Sequence, residues 1–140
     1  MSAPQNDDSA TKPSTRQRRL AVVKKVLRTV YGLGFMAAGI SHFVIPDHYI
    51  KTIPPYLPAH EVLNYFAGGA ATVLGALLLW PATTRYAAWG IIAFLLAVFP
   101  SNIHMALHPE LYPQIPELSL WLRLPLQTLL ISLAYWLSKR

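Results

Sequence analysis

Four apolar stretches of 19 to 21 residues constrain this chain more than anything else in it. They run from about Val26 to Ile45, Val62 to Trp80, Tyr86 to Ala106 and Leu118 to Leu137. At about 1.5 Å of rise per residue, each stretch as a helix spans the roughly 30 Å hydrocarbon core of a bilayer. None alternates with a period of two, and strands of this length are unusual. The pattern predicts an all-α fold, a four-helix transmembrane bundle. Charged residues are only 13% of the chain, about half the roughly 25% that coats an ordinary soluble domain. Without cysteine there is no disulfide framework, thiolate metal site or dithiol redox centre.

Residues 1–20 are polar and read as a disordered basic cytoplasmic tail, because they bury too little apolar area to offset ordering entropy. Residues 21–140 form the transmembrane domain, with helices expected at about 26–45, 62–80, 86–106 and 118–137. Prolines punctuate the connections: Pro46, Pro54, Pro55 and Pro58 in the first, Pro81 in the second, and Pro109, Pro113 and Pro116 in the third. The first connection has room for a short surface or re-entrant segment around Tyr49 to Leu57. A small-residue site at Ala37-Ala38-Gly39 raises a cleaved signal peptide as the competitor. The long preceding tail and the length of the apolar run favour an uncleaved helix.

Seven of the twelve Lys and Arg lie between Lys12 and Arg28. Summing alternate sides of the four helices places ten cations on the tail side and one, Lys51, on the other, with Arg123 inside the last helix. By the positive-inside rule both termini are expected to be cytoplasmic. Asp47, Glu61, Glu110 and Glu117 all fall on the outer side. The basic cluster flanks a hydrophobic helix, and no basic face with interleaved aromatics exists outside it, so the charge points to anionic headgroups and not to nucleic acid.

Polar residues in or near the membrane gather towards the outer side: His42, Asn64, Asn102, Arg123 and Gln127, with His48, His60, His104 and His108. An intramembrane ionisable residue costs free energy and suggests function by default. Arg123, inside the last helix, either snorkels outward or pairs with Asp47, Glu61, Glu110 or Glu117; a structural clamp and a ligand-binding cation both fit. Gly32, Gly39 and His42 share a face that packs inward, so His42 reaches towards Asn102 or Arg123. A structural histidine and a proton-handling or ligand-binding one both fit. Gln127 follows Arg123 by four residues and extends the same polar face. Pro100 and Pro125 sit beside Asn102 and Gln127, where kinks open room for a small ligand or are simply kinks. In the second helix Asn64, Gly68, Ala71 and Gly75 form a helix-packing face. His104 and His108 share a helical face, but no carboxylate stands at the positions helical zinc motifs use, so no metal site is assigned.

Several segments, in order, resemble the DoxX-like family of small four-helix membrane proteins. They are Gly39-Ile40-Ser41-His42-Phe43 with Pro46 and Tyr49; Pro54-Pro55-Tyr56-Leu57-Pro58; Gly75 to Pro81 with Arg85 and Ala87-Ala88-Trp89-Gly90; Ala97-Val98-Phe99-Pro100-Ser101-Asn102 with Met105-Ala106; and Trp121-Leu122-Arg123-Leu124-Pro125-Leu126-Gln127. The resemblance covers about residues 26 to 137. It implies a four-helix membrane protein, usually with no settled activity; some relatives are linked as membrane subunits to quinone-coupled sulfur oxidation or oxidoreductase complexes, and other branches to assembly of partner membrane proteins. The matching site positions are His42, Asn102, Arg123 and Gln127. Many bacterial relatives carry Ser-Gly-x-x-Glu early in the second helix. This chain has Ala67-Gly68-Gly69-Ala70-Ala71, with Ala71 at the glutamate position.

No phosphate loop, nucleotide fingerprint, nucleophile elbow or cysteine pair is present, so the chain carries no self-sufficient catalytic motif and no cofactor of its own. Two functions are expected. One is a non-catalytic subunit or assembly partner of a redox-linked membrane complex, associating with the lipid bilayer, with other membrane protein subunits or with copies of itself. The alternative is a component that binds a quinone or similar lipophilic ligand through His42, Asn102, Arg123 and Gln127.

Overall fold

A computed structural model describes residues 12–139, and all regular structure in them is helical. The order is α1 (Thr15–Val44), the short α2 (Pro46–Ile50), α3 (His60–Leu79), α4 (Thr84–Leu107), a 3-10 turn at Pro109–Leu111, and α5 (Glu117–Ser138). Three helices, α3, α4 and α5, are long and apolar enough to cross a membrane. Helix α1 has the length but falls short of the same apolarity, since Arg28, Ser41 and His42 dilute the apolar run.

The expected tail boundary at residue 20 falls inside α1. The helix starts at Thr15 because Ser14 closes a capping box with Gln17: Ser14 Oγ accepts from the Gln17 backbone at 3.3 Å, and Gln17 Oε1 accepts from the Ser14 N–H at 2.8 Å. This satisfies orphan groups at the helix start, and polar sequence is no obstacle to a helix that needs no burial there. The rest of the expected tail, residues 1–11, lies outside the described residues. In the first connection the helical segment is Pro46–Ile50, with Pro46 at its first turn, slightly earlier than expected. The chain then turns into α3 through Ala59, a left-handed residue at φ 52°. Helices α4 and α5 continue through Pro100 and Pro125.

Helices α1 and α3 form the most intimate pair. Gly39 faces Gly68, and Gly32 faces Gly75, in antiparallel register. A Cβ on Gly39 would lie 2.4 Å from the Thr72 backbone nitrogen, and one on Gly75 would lie 2.6 Å from that of Met36. The two small-residue faces read from the sequence therefore meet each other, and glycine is what lets the backbones touch.

The main core lies where α3 turns into α4. Leu78, Ala87, Ala88, Ile91 and Leu95 pack there against Ala134 and Leu137 of α5 and Tyr31 and Phe35 of α1. Tyr31 Oη donates to the Leu130 carbonyl at 3.0 Å, tying α1 to α5. A second cluster, Met105, Tyr112, Ile115 and Leu120, closes the opposite end. Helices α3 and α4 pack closely at Leu74 and Gly90, then enclose a cavity at the level of Ala67 and Ala97.

Candidate functional site

That cavity has a volume of about 430 Å³ and lies between α1, α3 and α4, with the 51–59 connection against it and Arg123 of α5 at its edge. Its walls are mainly apolar, including Phe66, Phe94, Val98 and Met105, and its polar groups are few: His42, Tyr49, Thr52, Asn64, Ser101, Asn102 and Arg123. A mostly apolar cavity of this size with a few convergent polar groups has the character of a small-molecule site.

His42 is held from three directions. Its Nδ1 lies 2.7 Å from Asn64 Oδ1, and Asn64 Nδ2 donates to the His42 carbonyl at 3.0 Å. That carbonyl would ordinarily accept from the residue four further on, but this is Pro46, which has no N–H. The Asn64 amide takes the place of the missing donor. With Nδ2 committed to a carbonyl, Oδ1 must accept, so His42 carries its proton on Nδ1. The neutral ring then has Nε2 as a free acceptor. Tyr49 stacks on the imidazole with centroids 3.8 Å apart and planes 19° from parallel. Ser41 Oγ donates to the Ala38 carbonyl, so Tyr49 Oη donates to Ser41 Oγ at 2.6 Å.

Across the cavity, Asn102 Nδ2 donates to Gln127 Oε1 at 2.7 Å, and Gln127 Nε2 donates to the Leu95 carbonyl in the turn before Pro100. Gln127 is buried behind the cavity wall and does not line it. Its part is to fix the Asn102 amide, whose Oδ1 takes no hydrogen bond from the described residues. Arg123 has no carboxylate within ion-pair distance among the described residues; Nη1 makes only a long contact, 3.9 Å, to Met105 Sδ. Of the two alternatives for Arg123, pairing with Asp47, Glu61, Glu110 or Glu117 is not made, and the guanidinium keeps most of its donors available.

Of the four residues singled out in the sequence, His42, Asn102 and Arg123 line one cavity and Gln127 supports it. His42 binds Asn64 instead of reaching Asn102 or Arg123. Tyr49, Thr52, Asn64 and Ser101 complete the polar lining. The stack on His42 was hidden because it depends on the fold-back of α2. Asn64 had a usable signal: a lone amide among small residues on a packing face, opposite a carbonyl that a proline leaves unpaired.

His104 and His108 fall outside the cavity lining, with ring centroids 4.7 Å apart. His104 Nδ1 lies 3.3 Å from Tyr112 Oη, and His108 Nδ1 lies 3.2 Å from Glu110. Among the described residues no three His, Asp or Glu side chains converge on a common point. Burial raises the pKa of the Tyr112 phenol, and the nearby Tyr56 adds to this.

Helical throughout its regular structure, with apolar helices around a cavity of mixed polarity, the chain defines a small helical protein of membrane character. It belongs to a family described as a domain of unknown function (DUF8561), whose model matches residues 31–138. No curated protein and no solved structure matches the chain.

Proposed function

We propose that the protein is a DoxX-like, four-helix membrane protein that holds a small lipophilic ligand with a quinone-type or other carbonyl head in the α1–α3–α4 cavity. In this reading α1 crosses the bilayer with α3, α4 and α5, both termini are cytoplasmic, and the membrane is a bacterial inner membrane. The observation that carries the ligand assignment is the convergence of His42, Asn102 and the unpaired Arg123 on one largely apolar cavity. Arg123 donates to a carbonyl oxygen. His42 Nε2 accepts from a hydroxyl when neutral and donates when protonated, and Asn102 Oδ1 accepts. A reducible carbonyl pair would thus find partners in both its oxidised and its reduced form, with the apolar wall covering the tail. The chain supplies the ligand site to a membrane oxidoreductase and does not turn over alone.

A purely structural subunit is the second reading, motivated by small-residue helix faces. The glycines of those faces at positions 32, 39, 68 and 75 are consumed within the chain by the α1–α3 contact. That reading then rests on small size and the lack of cofactor motifs.

Native mass spectrometry of the full chain, gently extracted from its own membrane, tests the assignment. We expect an adduct of a few hundred daltons, displaced by decylubiquinone and lost in Arg123→Gln and His42→Phe. No such adduct, with unaltered decylubiquinone binding in both variants, would overturn it. An adduct the mass of a polypeptide would favour the subunit reading.

A further inference from the structure

The strongest charge concentration lies at the other end of the molecule. A cavity of about 570 Å³ is bounded by the first half of α1, the start of α4 and the end of α5. Lys24, Lys25, Arg28, Arg85 and Lys139 all line it, and no Asp or Glu does. The carboxylates of the described residues lie at the opposite end: Asp47 in α2, Glu61 in the first turn of α3, Glu110 in the 3-10 turn and Glu117 at the start of α5. Five like charges brought together with no Asp or Glu among the described residues of the lining repel one another, and the fold nevertheless converges them from three helices.

Arg28 is the central observation. It is half-buried, its Nε is buried with no hydrogen-bond partner, and its Nη1 makes only a long contact, 3.5 Å, to Thr84 Oγ1. A partly desolvated guanidinium with a buried unbonded Nε is costly, and its fork of donors matches two oxygens of a phosphate well. Lys24 is held in place by its bond to the Lys139 carbonyl and lies 5.6 Å from the centre of the Trp136 ring. The residue capping α4, Thr83, makes no side-chain bond to the helix start, so the first amides of α4 add their positive end. Trp80, Tyr86, Trp89 and Tyr135 are exposed around this end, as aromatics are at the headgroup level of a bilayer.

We infer that this cavity is a binding site for a phosphate group, either the phosphodiester of an anionic lipid or free inorganic phosphate. Arg28 holds the phosphoryl oxygens from the inner wall, and Lys25 and Arg85 close over them from the rim. This site is independent of the ligand cavity near His42 and needs only the membrane placement.

The test uses full-length protein in two arms. In the first, native mass spectrometry follows adducts from equal mixtures of phosphatidylglycerol and phosphatidylcholine with matched chains. In the second, inorganic phosphate is titrated against chloride at constant ionic strength, with thermal unfolding as readout. Arg28→Gln is compared with Lys25→Gln/Arg85→Gln, whose residues are exposed and do not threaten folding. Arg18→Gln/Arg19→Gln, which removes the same charge from α1 outside the cavity, is the control. Phosphatidylglycerol should be retained in preference. Both cavity variants should lose that preference about tenfold, and the control should stay close to wild type. Stabilisation by inorganic phosphate alone, lost in the same variants, would keep the site and assign free phosphate as its source. Equal losses in the control and the cavity variants, or no preference in either arm, would overturn the inference.

Discussion

Asn64 shows how much one side chain sets at this site. It pairs with the His42 ring and with a carbonyl that Pro46 cannot serve, so its removal exposes two polar groups in an apolar setting. Asn64→Leu should lower stability by about 1–2 kcal/mol, since hydrogen bonds between membrane helices average about 0.6 kcal/mol each and the stranded partners add to that. Thermal unfolding in detergent measures this, and a double-mutant cycle with His42→Phe should show coupling of the same sign. Glu110 offers a second test outside the membrane segments. Hydrogen bonding to its backbone pulls its pKa down, desolvation opposes this, and the hydrogen bond and charge of His108, with the charge of His104, pull it lower still. A lowered folded-state pKa gives a contribution that is complete above the ordinary value of 4.5 and lost as pH falls through the lowered one. The carboxylate is exposed, so the effect is small. The melting-point difference between wild type and Glu110→Gln should close as the pH falls below about 4.5.

At the scale of elements, the α1–α3 contact decides the shape of the ligand cavity, because it holds His42 opposite Asn64. Gly39→Ala would place a methyl group 2.4 Å from the Thr72 backbone nitrogen and force the helices apart. We expect a loss of about 1–3 kcal/mol, the usual range for overpacking, accompanied by weaker ligand retention. Gly34→Ala is the matched control, since nothing lies within 4 Å of a Cβ there. It should be neutral or slightly stabilising in the same unfolding assay. This pairing was half legible beforehand. Spacing placed Gly32, Gly39 and His42 on one face and Asn64, Gly68 and Gly75 on another, because helical periodicity is local. That the two faces meet each other is a tertiary choice that periodicity does not encode. Long apolar runs and proline clusters fixed the helix positions for the same local reason. The start of α1 was missed because the Ser14–Gln17 capping box operates in a polar segment that hydropathy ignores. The absence of an Arg123 ion pair was equally unreadable, since it depends on where the outer connections fold.

For the molecule as a whole, polarity of charge runs from end to end, with five cations lining one terminal cavity and the described carboxylates at the other end. In a bilayer that asymmetry specifies orientation, provided all four long helices cross. Helix α1 is long enough to cross at 30 residues but more polar than α3, α4 and α5. Its apolar exterior residues, among them Val26, Val30, Leu33 and Ile40, are nonetheless exposed, and its glycine face is committed to α3 from Gly32 to His42. A helix packed in this way against a neighbour long and apolar enough to cross shares that neighbour's depth, so α1 should cross too. The chain has no cysteine, which makes the question direct. Lys12→Cys, Lys51→Cys and Lys139→Cys each place one thiol at an exposed position in the tail, after α2 and after α5. Treated in intact cells with a membrane-impermeant maleimide, only Lys51→Cys should react. Reaction at Lys12 and Lys139 instead would invert the orientation. Reaction at Lys12 and Lys51 together, or at Lys139 alone, would mean that α1 lies along the surface and only three helices cross. In that case the two terminal groups of cations in the basic cavity, from α1 and α5, would fall on opposite sides of the membrane. The convergence of Lys24, Arg28 and Lys139 on one cavity is the reason to expect four crossings and labelling at Lys51 alone.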